Sequence, residues 1–216
     1  MLNKRFKKGI LITFEGIDGS GKSTQIKKLK NFLLKKKINN TYFTREPGGT
    51  NLGEATRKLL FKNDAINPLN QSLILLLTAS RYEHYKKIIL PNIKKKKIVI
   101  SDRFTDSTFA YQCGSNKELG KLLKYLNNKL FANFNADLTI LLDIRAEEAM
   151  KRLKKRKINN SFDKKTLIFY KSVRSSYLKL ANKYKRIKVL DASINQDELF
   201  NKVQKLILKI VKEKCT

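Results

Sequence analysis

Short apolar runs alternate with longer stretches of helical periodicity along this chain. Residues 10–14 form an apolar, β-branched and aromatic run that is typical of a buried strand, and residues 23–37 repeat apolar side chains at helical spacing. Four further strands are predicted at residues 41–44, 98–100, 138–142 and 187–190. The remaining helices are predicted at residues 52–61, 69–90, 105–112, 117–131, 146–155, 167–184 and about 196–212.

The regular order of strand and helix predicts a parallel sheet, because each helix carries the chain back to begin the next strand in the same direction. We expect an α/β fold of three layers, with a five-stranded parallel sheet flanked by helices, in a single domain spanning residues 1–216. The helix at residues 69–90 is expected to end before Pro91, which lacks the N–H that a helix interior requires. The polar and basic segment at about residues 152–163 is expected to form a mobile lid.

The composition is that of a folded enzyme without a membrane anchor. Hydrophobic residues make up 41% of the 216 residues, which is enough for one sizeable core. No apolar run reaches the length that crosses a bilayer, and the basic N-terminal residues are not followed by a signal-peptide core. Cys113 and Cys215 are not spaced as metal ligands, and two lone thiols favour a reducing compartment. We expect a cytoplasmic protein with no membrane partner.

The formal net charge of +30 raises the question of a nucleic-acid partner. The lysines are, however, scattered along the whole chain, and no aromatic-and-basic platform of the RNA-binding type is present. The abundance of Lys, Asn and Ile would also follow from a biased genome composition. Nucleic acid is therefore not an expected partner.

A glycine-rich loop between the first strand and helix fits the pattern G-x-x-x-x-G-K-[ST]. Its glycines would turn backbone N–H groups onto phosphate oxygens, and the helix would direct its positive dipole end at the same group. Lys22 would reach the β- and γ-phosphates of ATP, and the Ser23 hydroxyl would bind Mg²⁺. The expected ATP-binding residues are Gly16, Ile17, Asp18, Gly19, Ser20, Gly21, Lys22, Ser23 and Thr24. The fold is therefore expected to be that of the P-loop NTPases; the alternative is a glycine turn that matches by chance.

Two further strand ends offer groups for a second ligand. Residues 45–50 follow the second strand, and Asp102 and Arg103 follow the third. Ligands of open parallel sheets bind beyond the carboxyl ends of the strands, so both loops are expected beside the P-loop. Their cations, carboxylates and glycines favour an anionic acceptor that faces ATP. A phosphate acceptor is already ionised, and it needs charge neutralisation and alignment instead of a strong base.

Four segments together resemble the thymidylate kinase family, from about residue 9 to the C-terminal helix. They are F-E-G-I-D-G-S-G-K-S-T at residues 14–24, T-R-E-P-G-G-T at 44–50, D-R-F-T-D-S-T-F-A-Y-Q at 102–112 and A-D-L-T at 136–139. The second and third segments are far more specific than the P-loop alone. The resemblance implies transfer of the ATP γ-phosphoryl group to dTMP, giving dTDP, with Mg²⁺ and in a homodimer.

The resemblance also implies roles for single residues. The expected dTMP contacts are Asp18, Arg45, Leu77, Arg81, Arg103, Thr108, Tyr111 and Gln112. Asp18 would accept a hydrogen bond from the sugar 3′-hydroxyl. Arg45 and Arg103 would hold the acceptor phosphate, and Arg81 would bond the thymine edge. Asp102 would lie near Mg²⁺, through water.

Each of these roles has a structural alternative. Asp18 is also an ordinary residue for a turn. The two phosphate-binding arginines could instead form ion pairs with Glu46 or Asp102. Arg81 could lie on a solvated helix face.

Two departures from the family pattern bear on the mechanism. The family usually has Phe four residues before the helix arginine, where this chain has Leu77, so stacking on thymine becomes aliphatic contact. The lid commonly reads D-R-x-E, but residues 160–163 contain no Arg. We therefore expect Lys22 and Arg103 to act in catalysis with Arg156, supported by Arg152, on the transferring phosphoryl group. A basic, solvated helix end is the alternative reading of the two lid arginines.

Other activities fit the sequence less well. A GTPase would need N-K-x-D, but the fourth strand is followed by L-D-I-R at residues 142–145. The nearest alternatives are a kinase for another nucleoside monophosphate, or a deoxynucleoside kinase with Glu46 or Asp102 as its base. A nucleic-acid-binding ATPase is the remote alternative.

Overall fold

The structure is a computed structural model that describes residues 8–62, 68–155 and 166–215. The strands are β1 (Ile10–Glu15), β2 (Thr41–Arg45), β3 (Ile98–Asp102), β4 (Leu138–Asp143) and β5 (Ile187–Asp191). The α-helices are α1 (Lys22–Lys35), α2 (Asn51–Lys62), α3 (Asn70–His84), α4 (Leu90–Lys94), α5 (Thr105–Thr108), α6 (Lys117–Phe131), α7 (Ala146–Lys155), α8 (Leu167–Lys183) and α9 (Gln196–Cys215). Two π-helical turns, Tyr85–Ile89 and Phe109–Cys113, continue α3 and α5.

The five strands form one parallel sheet in the order β2-β3-β1-β4-β5, which confirms the predicted architecture. Phe14 of β1 and Arg45 of β2 both lie opposite Asp102 of β3. The carboxyl ends of β1, β2 and β3 therefore meet at one edge of the sheet. Ligands of such sheets bind beyond this edge, where the strand order reverses.

The central strands of the sheet are buried on both faces. Along β1, Ile10, Ile12 and Phe14 pack into one apolar cluster, whereas Leu11 packs into another on the opposite face. This alternation follows from the two-residue period of a strand. Because both faces are covered by helices, the central strands consist almost entirely of apolar residues.

The predicted end of the third helix before Pro91 is wrong. After α3, the π-helical turn leads directly into α4, and Pro91 lies in the first turn of α4. The N–H of Leu90 bonds to the carbonyl of Tyr85, which closes the wide turn. Pro91 has no N–H to donate, so it interrupts the hydrogen-bond ladder within this continuous helical segment without ending it.

The predicted lid begins within α7 and then leaves the described residues. Residues 152–155 belong to this helix, whereas Arg156 and residues 160–163 lie outside the described ranges. The lid and the single-domain assignment both stay predictions. None of the helices in the described ranges is long and apolar enough to cross a membrane.

Candidate active site

The P-loop connects β1 to α1 and contains two glycines, Gly16 and Gly19, that leave no room for a side chain. Gly16 and Gly19 have φ angles of 139° and 83°, in a region that favours glycine. A Cβ atom would lie 2.5 Å from the Leu142 carbonyl oxygen at Gly16 and 2.5 Å from the Ala149 carbonyl oxygen at Gly19. The loop is therefore held closely against β4 and α7, and backbone groups form much of its surface.

Lys22 is buried at the start of α1 and is turned back onto the loop. Its Nζ donates to the carbonyl oxygens of Gly16, at 2.9 Å, and Ile17, at 3.0 Å. Burial, and then the positive charge of Arg103, lower the pKa of Lys22 to about 8. Lys22 is thus a cation at neutral pH that loses its charge in a mildly alkaline medium.

Arg103 is the centre of a polar network at the end of β3. Its backbone is left-handed, with φ at 71°, and its guanidinium donates to Asp18 Oδ1 at 2.6 Å and to Ser107 Oγ at 3.0 Å. Tyr111 also donates to Asp18, at 2.9 Å. Burial alone would raise the pKa of Asp18, but the charges of Arg103 and Lys22 outweigh it and lower that pKa, so Asp18 is a carboxylate. Backbone strain of this kind is typical of functional sites.

Arg81 on α3 is buried, so it does not lie on a solvated helix face. Its Nε donates to Glu46 at 2.6 Å, and its Nη2 donates to the Thr108 hydroxyl at 2.8 Å. The Nη1 atom is buried and has no hydrogen-bond partner among the described residues. Burial would raise the pKa of Glu46, but the Arg81 charge and a hydrogen bond from His84 lower it, which keeps Glu46 ionised.

A cavity of about 940 Å³, including space open to solvent, lies between these two arginines. It is lined by Asp18, Glu46, Pro47, Arg57, Leu60, Phe61, Leu73, Leu77, Ser80, Arg81, Arg103, Phe104, Ser107, Thr108, Tyr111 and Gln112. The structure therefore brings together every residue expected to contact dTMP except Arg45. Arg45 is half exposed and pairs with Glu54 at 3.0 Å, not with Glu46 or Asp102.

Helix α2 adds residues that the sequence analysis did not select. Arg57 lines the cavity, donates to the Pro47 carbonyl oxygen at 3.3 Å and lies over the Phe61 ring at 4.9 Å. Leu60 and Phe61 line the cavity beside it. The three side chains share one helix face, and their spacing directly after the T-R-E-P-G-G-T loop was the available signal.

Glu15 ties the two strand ends to α8. Its carboxylate accepts from the Phe104 N–H at 2.7 Å, the Ser107 hydroxyl at 2.5 Å and the Tyr177 hydroxyl at 2.9 Å. Burial, and then the Asp106 carboxylate, raise the pKa of Glu15 to about 7. Glu15 has a structural role, because its contacts hold the segment after Arg103 and join it to α8.

Asp102 and Ser23 fit a magnesium ion bound mostly by phosphate and water. Asp102 Oδ1 is buried and has no partner among the described residues, and Ser23 lies in the first turn of α1. Across the described ranges, no three His, Cys, Asp or Glu side chains gather into a site that could hold a metal by themselves. Magnesium does not need such a cage, because it usually keeps several waters and binds through one or two protein groups and the substrate phosphates.

The described lid arginine is held against the sheet. Arg152 Nη2 donates to the carbonyl oxygen of Ala192, which follows β5, at 3.0 Å. The structure places it at the edge where α7 meets the β5–α9 connection. Arg156 lies outside the described residues, so its catalytic role stays a prediction.

Comparison with known proteins gives one consistent family. Residues 14–207 match the family model described as thymidylate kinase. A thymidylate kinase from Ruthia magnifica subsp. Calyptogena magnifica is 38% identical over 206 residues, which cover 95% of this chain and 100% of that protein. One from Thermoanaerobacter sp. (strain X514) is 42% identical over 209 residues, covering 95% and 98%. The crystal structure of thymidylate kinase from Ehrlichia chaffeensis matches with a TM-score of 0.74 at 36% identity, covering 93% of this chain and 98% of that one.

Proposed function

The chain belongs to the thymidylate kinase family, and we propose that it binds dTMP in the cavity between Arg81 and Arg103. It transfers the γ-phosphoryl group of ATP to dTMP and forms dTDP. One observation carries the proposal for the site: a buried arginine, whose Nη1 has no hydrogen-bond partner in the described part of the chain, lines the same cavity as an arginine held beside the P-loop. A nucleoside monophosphate has a polar base edge and a phosphate at its opposite ends, which suits this arrangement.

Arg103 and Arg57 bind the acceptor phosphate in this proposal. Both line the cavity, and Arg103 also donates to the Gly16 carbonyl oxygen at 3.3 Å, which places it next to the P-loop. We assign this role to Arg57 instead of Arg45, because Arg45 is half exposed and paired with Glu54. Asp18, as a carboxylate, accepts from the sugar 3′-hydroxyl.

The base lies at the α3 end of the cavity. Arg81 Nη1 donates to a carbonyl oxygen of thymine, and Gln112 offers both a donor and an acceptor. Leu73 and Leu77 contact the face of the ring, because both line the cavity from one side of α3. Thr108 contributes indirectly, because its hydroxyl accepts from Arg81 Nη2 and so holds the fork-shaped guanidinium in place.

Catalysis consists of alignment and charge neutralisation. The acceptor phosphate is already ionised, so no general base is needed, and Lys22 and Arg103 neutralise charge as the phosphoryl group is transferred. Ser23 and, through water, Asp102 would hold a magnesium ion, which would further neutralise the donor phosphates. Arg156, with Arg152 in support, acts on the transferring group from the lid, and an arginine in this role is worth about 10³ or more in rate.

The deoxynucleoside kinase alternative is weakened by the state of Glu46. Its two carboxylate oxygens are engaged by Arg81 and His84, and the residue is buried. A carboxylate used in this way is not available to take a proton from a hydroxyl acceptor.

We also propose a cytoplasmic homodimer, with α2 and α3 at the interface. Leu52 and Leu59 of α2 and Leu75 and Tyr82 of α3 are apolar side chains exposed on adjacent helices. Burying them would remove apolar surface from water. Sedimentation velocity should show a dimer for the protein and a monomer for Leu75→Glu; a monomeric wild type would contradict this assembly.

A panel of acceptors tests the function. ADP formation should be measured with dTMP, dUMP, UMP, CMP and thymidine at equal concentrations. We expect the highest kcat/KM with dTMP. Fast turnover of thymidine with none of dTMP would contradict the proposed function.

A further inference from the structure

His84 is the single histidine of the chain, and it is wholly buried at the end of α3. It does not line the cavity. Its Nδ1 lies 2.9 Å from Glu46 Oε1, and its Nε2 lies 2.6 Å from the Thr44 hydroxyl. Both ring nitrogens are therefore used in contacts with the β2 end of the acceptor site.

The hydrogen-bond directions follow from the partners. The Glu46 carboxylate can only accept, so His84 Nδ1 donates to it. In the neutral ring this leaves Nε2 to accept from the Thr44 hydroxyl, and every polar atom of the ring is satisfied. This arrangement holds the ring, and with it the carboxylate plane of Glu46, in one orientation.

The Glu46 carboxylate in turn orients the guanidinium of Arg81. Its second oxygen accepts from Arg81 Nε at 2.6 Å, while Thr108 accepts from Nη2 at 2.8 Å. Because Arg81 Nε and Nη2 are both engaged, these two bonds determine the orientation of the planar guanidinium and with it the direction of Nη1. A carboxylate that could rotate would leave the same fork free to tilt.

The ring also supports the loop after β2. A Cβ atom at Gly49 would come within 2.7 Å of the His84 ring, so the loop and the ring are in close contact. The same loop carries Pro47, which lines the cavity. His84 therefore contacts the end of β2 and the loop that follows it without reaching the cavity.

We propose that His84 is a positioning residue, which orients the Arg81 fork through Glu46 and thereby sets the affinity and base selectivity for dTMP. This inference rests on the proposed dTMP site. It predicts that the Nδ1 bond matters for dTMP and that the Nε2 bond matters much less. ATP binding should not depend on either bond.

Two substitutions separate the nitrogens of the ring. In His84→Gln the side-chain amide reaches the position of Nε2 and keeps the Thr44 contact, whereas in His84→Asn it reaches the position of Nδ1 and keeps the bond to Glu46. We expect His84→Gln to raise the KM for dTMP by about 10-fold or more, as loss of a hydrogen bond to a charged group implies. In the same variant the KM for ATP should change by less than about twofold. In His84→Asn, which keeps the bond to Glu46, the KM for dTMP should lie within about threefold of the wild-type value.

Base selectivity gives a readout that a purely structural role would not affect. Thymine presents a carbonyl oxygen where cytosine presents an amino group, so a tilted Arg81 should discriminate less between them. The ratio of kcat/KM for dTMP over dCMP should be lower in His84→Gln than in the wild type, and close to the wild-type ratio in His84→Asn. In an Arg81→Lys background, His84→Gln should cause little further change, because the two residues act through one contact.

Three outcomes would overturn the inference. These are equal effects of the two variants on the KM for dTMP, an unchanged selectivity ratio in His84→Gln, or additive effects with Arg81→Lys. Thermal melting shows whether each variant is folded at the assay temperature. For a variant that melts too early, calorimetric titration of dTMP below its melting temperature replaces the kinetic comparison. Failure of the proposed function is distinguishable, since the wild-type protein would then not turn over dTMP at all.

Discussion

The acceptor cavity and the P-loop use different parts of the chain to recognise their ligands. The cavity is formed by side chains that hold one another, above all the pairs Arg103–Asp18 and Arg81–Glu46, both at 2.6 Å. The P-loop is formed by backbone, with glycines packed against neighbouring carbonyl groups and Lys22 donating to its own loop. In the proposed complex, backbone groups of the P-loop would hold the phosphates of ATP, whereas side chains of the cavity would hold the base, the sugar and the phosphate of dTMP.

The same difference has an energetic side. Arg81 and Glu46 are nearly fully buried, so removing one partner leaves an unpaired charge, which typically costs about 3–5 kcal/mol. The exposed pair Arg45–Glu54 belongs to the class of surface pairs worth about 0–1 kcal/mol. The acceptor cavity should therefore respond sharply to substitution, and its surface rim should not.

The largest effect is expected at the lid. Because the P-loop region supplies only one buried lysine to the donor phosphates, Arg156→Ala should lower kcat by about 10³ with little change in the KM for dTMP. Rapid-quench or coupled-assay kinetics can measure this.

Arg152→Ala is the matched control for that variant. Arg152 is held by the Ala192 carbonyl oxygen, and we expect its loss to lower kcat by about tenfold or less. Near-normal turnover of Arg156→Ala would remove the lid arginine from the mechanism.

A second comparison separates the cavity from its rim. Arg57→Ala should raise the KM for dTMP by about 10–100-fold, because it removes a charged contact with the acceptor phosphate. Arg45→Ala should change this KM by less than about threefold, because the side chain is half exposed and paired with Glu54. Equal effects of the two substitutions would show that Arg57 has been given the wrong role.

The charge of Lys22 in the P-loop can be tested by the uptake of protons when MgATP binds. At pH 8 Lys22 is about half charged, since its pKa is lowered to about 8, and bound phosphates favour the charged form. Binding of MgATP should then take up as much as about half a proton, and affinity should fall as the pH rises above 8.

Calorimetric titration in two buffers of different ionisation enthalpy measures this uptake. The variant Lys22→Arg, whose guanidinium stays charged, should show none at the same pH. Wild-type binding without proton uptake at pH 8 would contradict the lowered pKa of Lys22.

The smallest effect is expected from refining the base contact. Leu77→Phe would add an aromatic face beside the thymine ring and should lower the KM for dTMP by about 2–10-fold. The KM for ATP should stay the same, because Leu77 lines only the acceptor cavity. A raised KM for dTMP would show that the cavity wall has no room for the larger ring.

Local patterns predicted the fold well and the side-chain network poorly. Helix α6 was predicted with the bounds that the structure has, and α7 with its first residue, because their amphipathic spacing and flanking turns are local signals. The continuation of α3 through Pro91 was missed, since a π-helical turn has no simple sequence signature.

Most of the residues expected to contact dTMP do line one cavity, but the residues with which they pair were not predicted. The family resemblance selected Arg81 and Arg103, yet their partners Glu46 and Asp18 lie 35 and 85 residues away along the chain. Such pairings depend on which strand ends become neighbours, and no local pattern contains that information. Arg57 was missed for the same reason, although its helical spacing with Phe61 was visible.

A crystal structure with dTMP and a non-hydrolysable ATP analogue would test the central claim most directly. We expect Arg81 Nη1 within about 3.2 Å of a thymine carbonyl oxygen, the dTMP phosphate in contact with Arg103 and Arg57, and the analogue phosphates on the P-loop. A dTMP phosphate bound to the P-loop, or a base outside the cavity beside Arg81, would contradict the division of recognition between side chains and backbone.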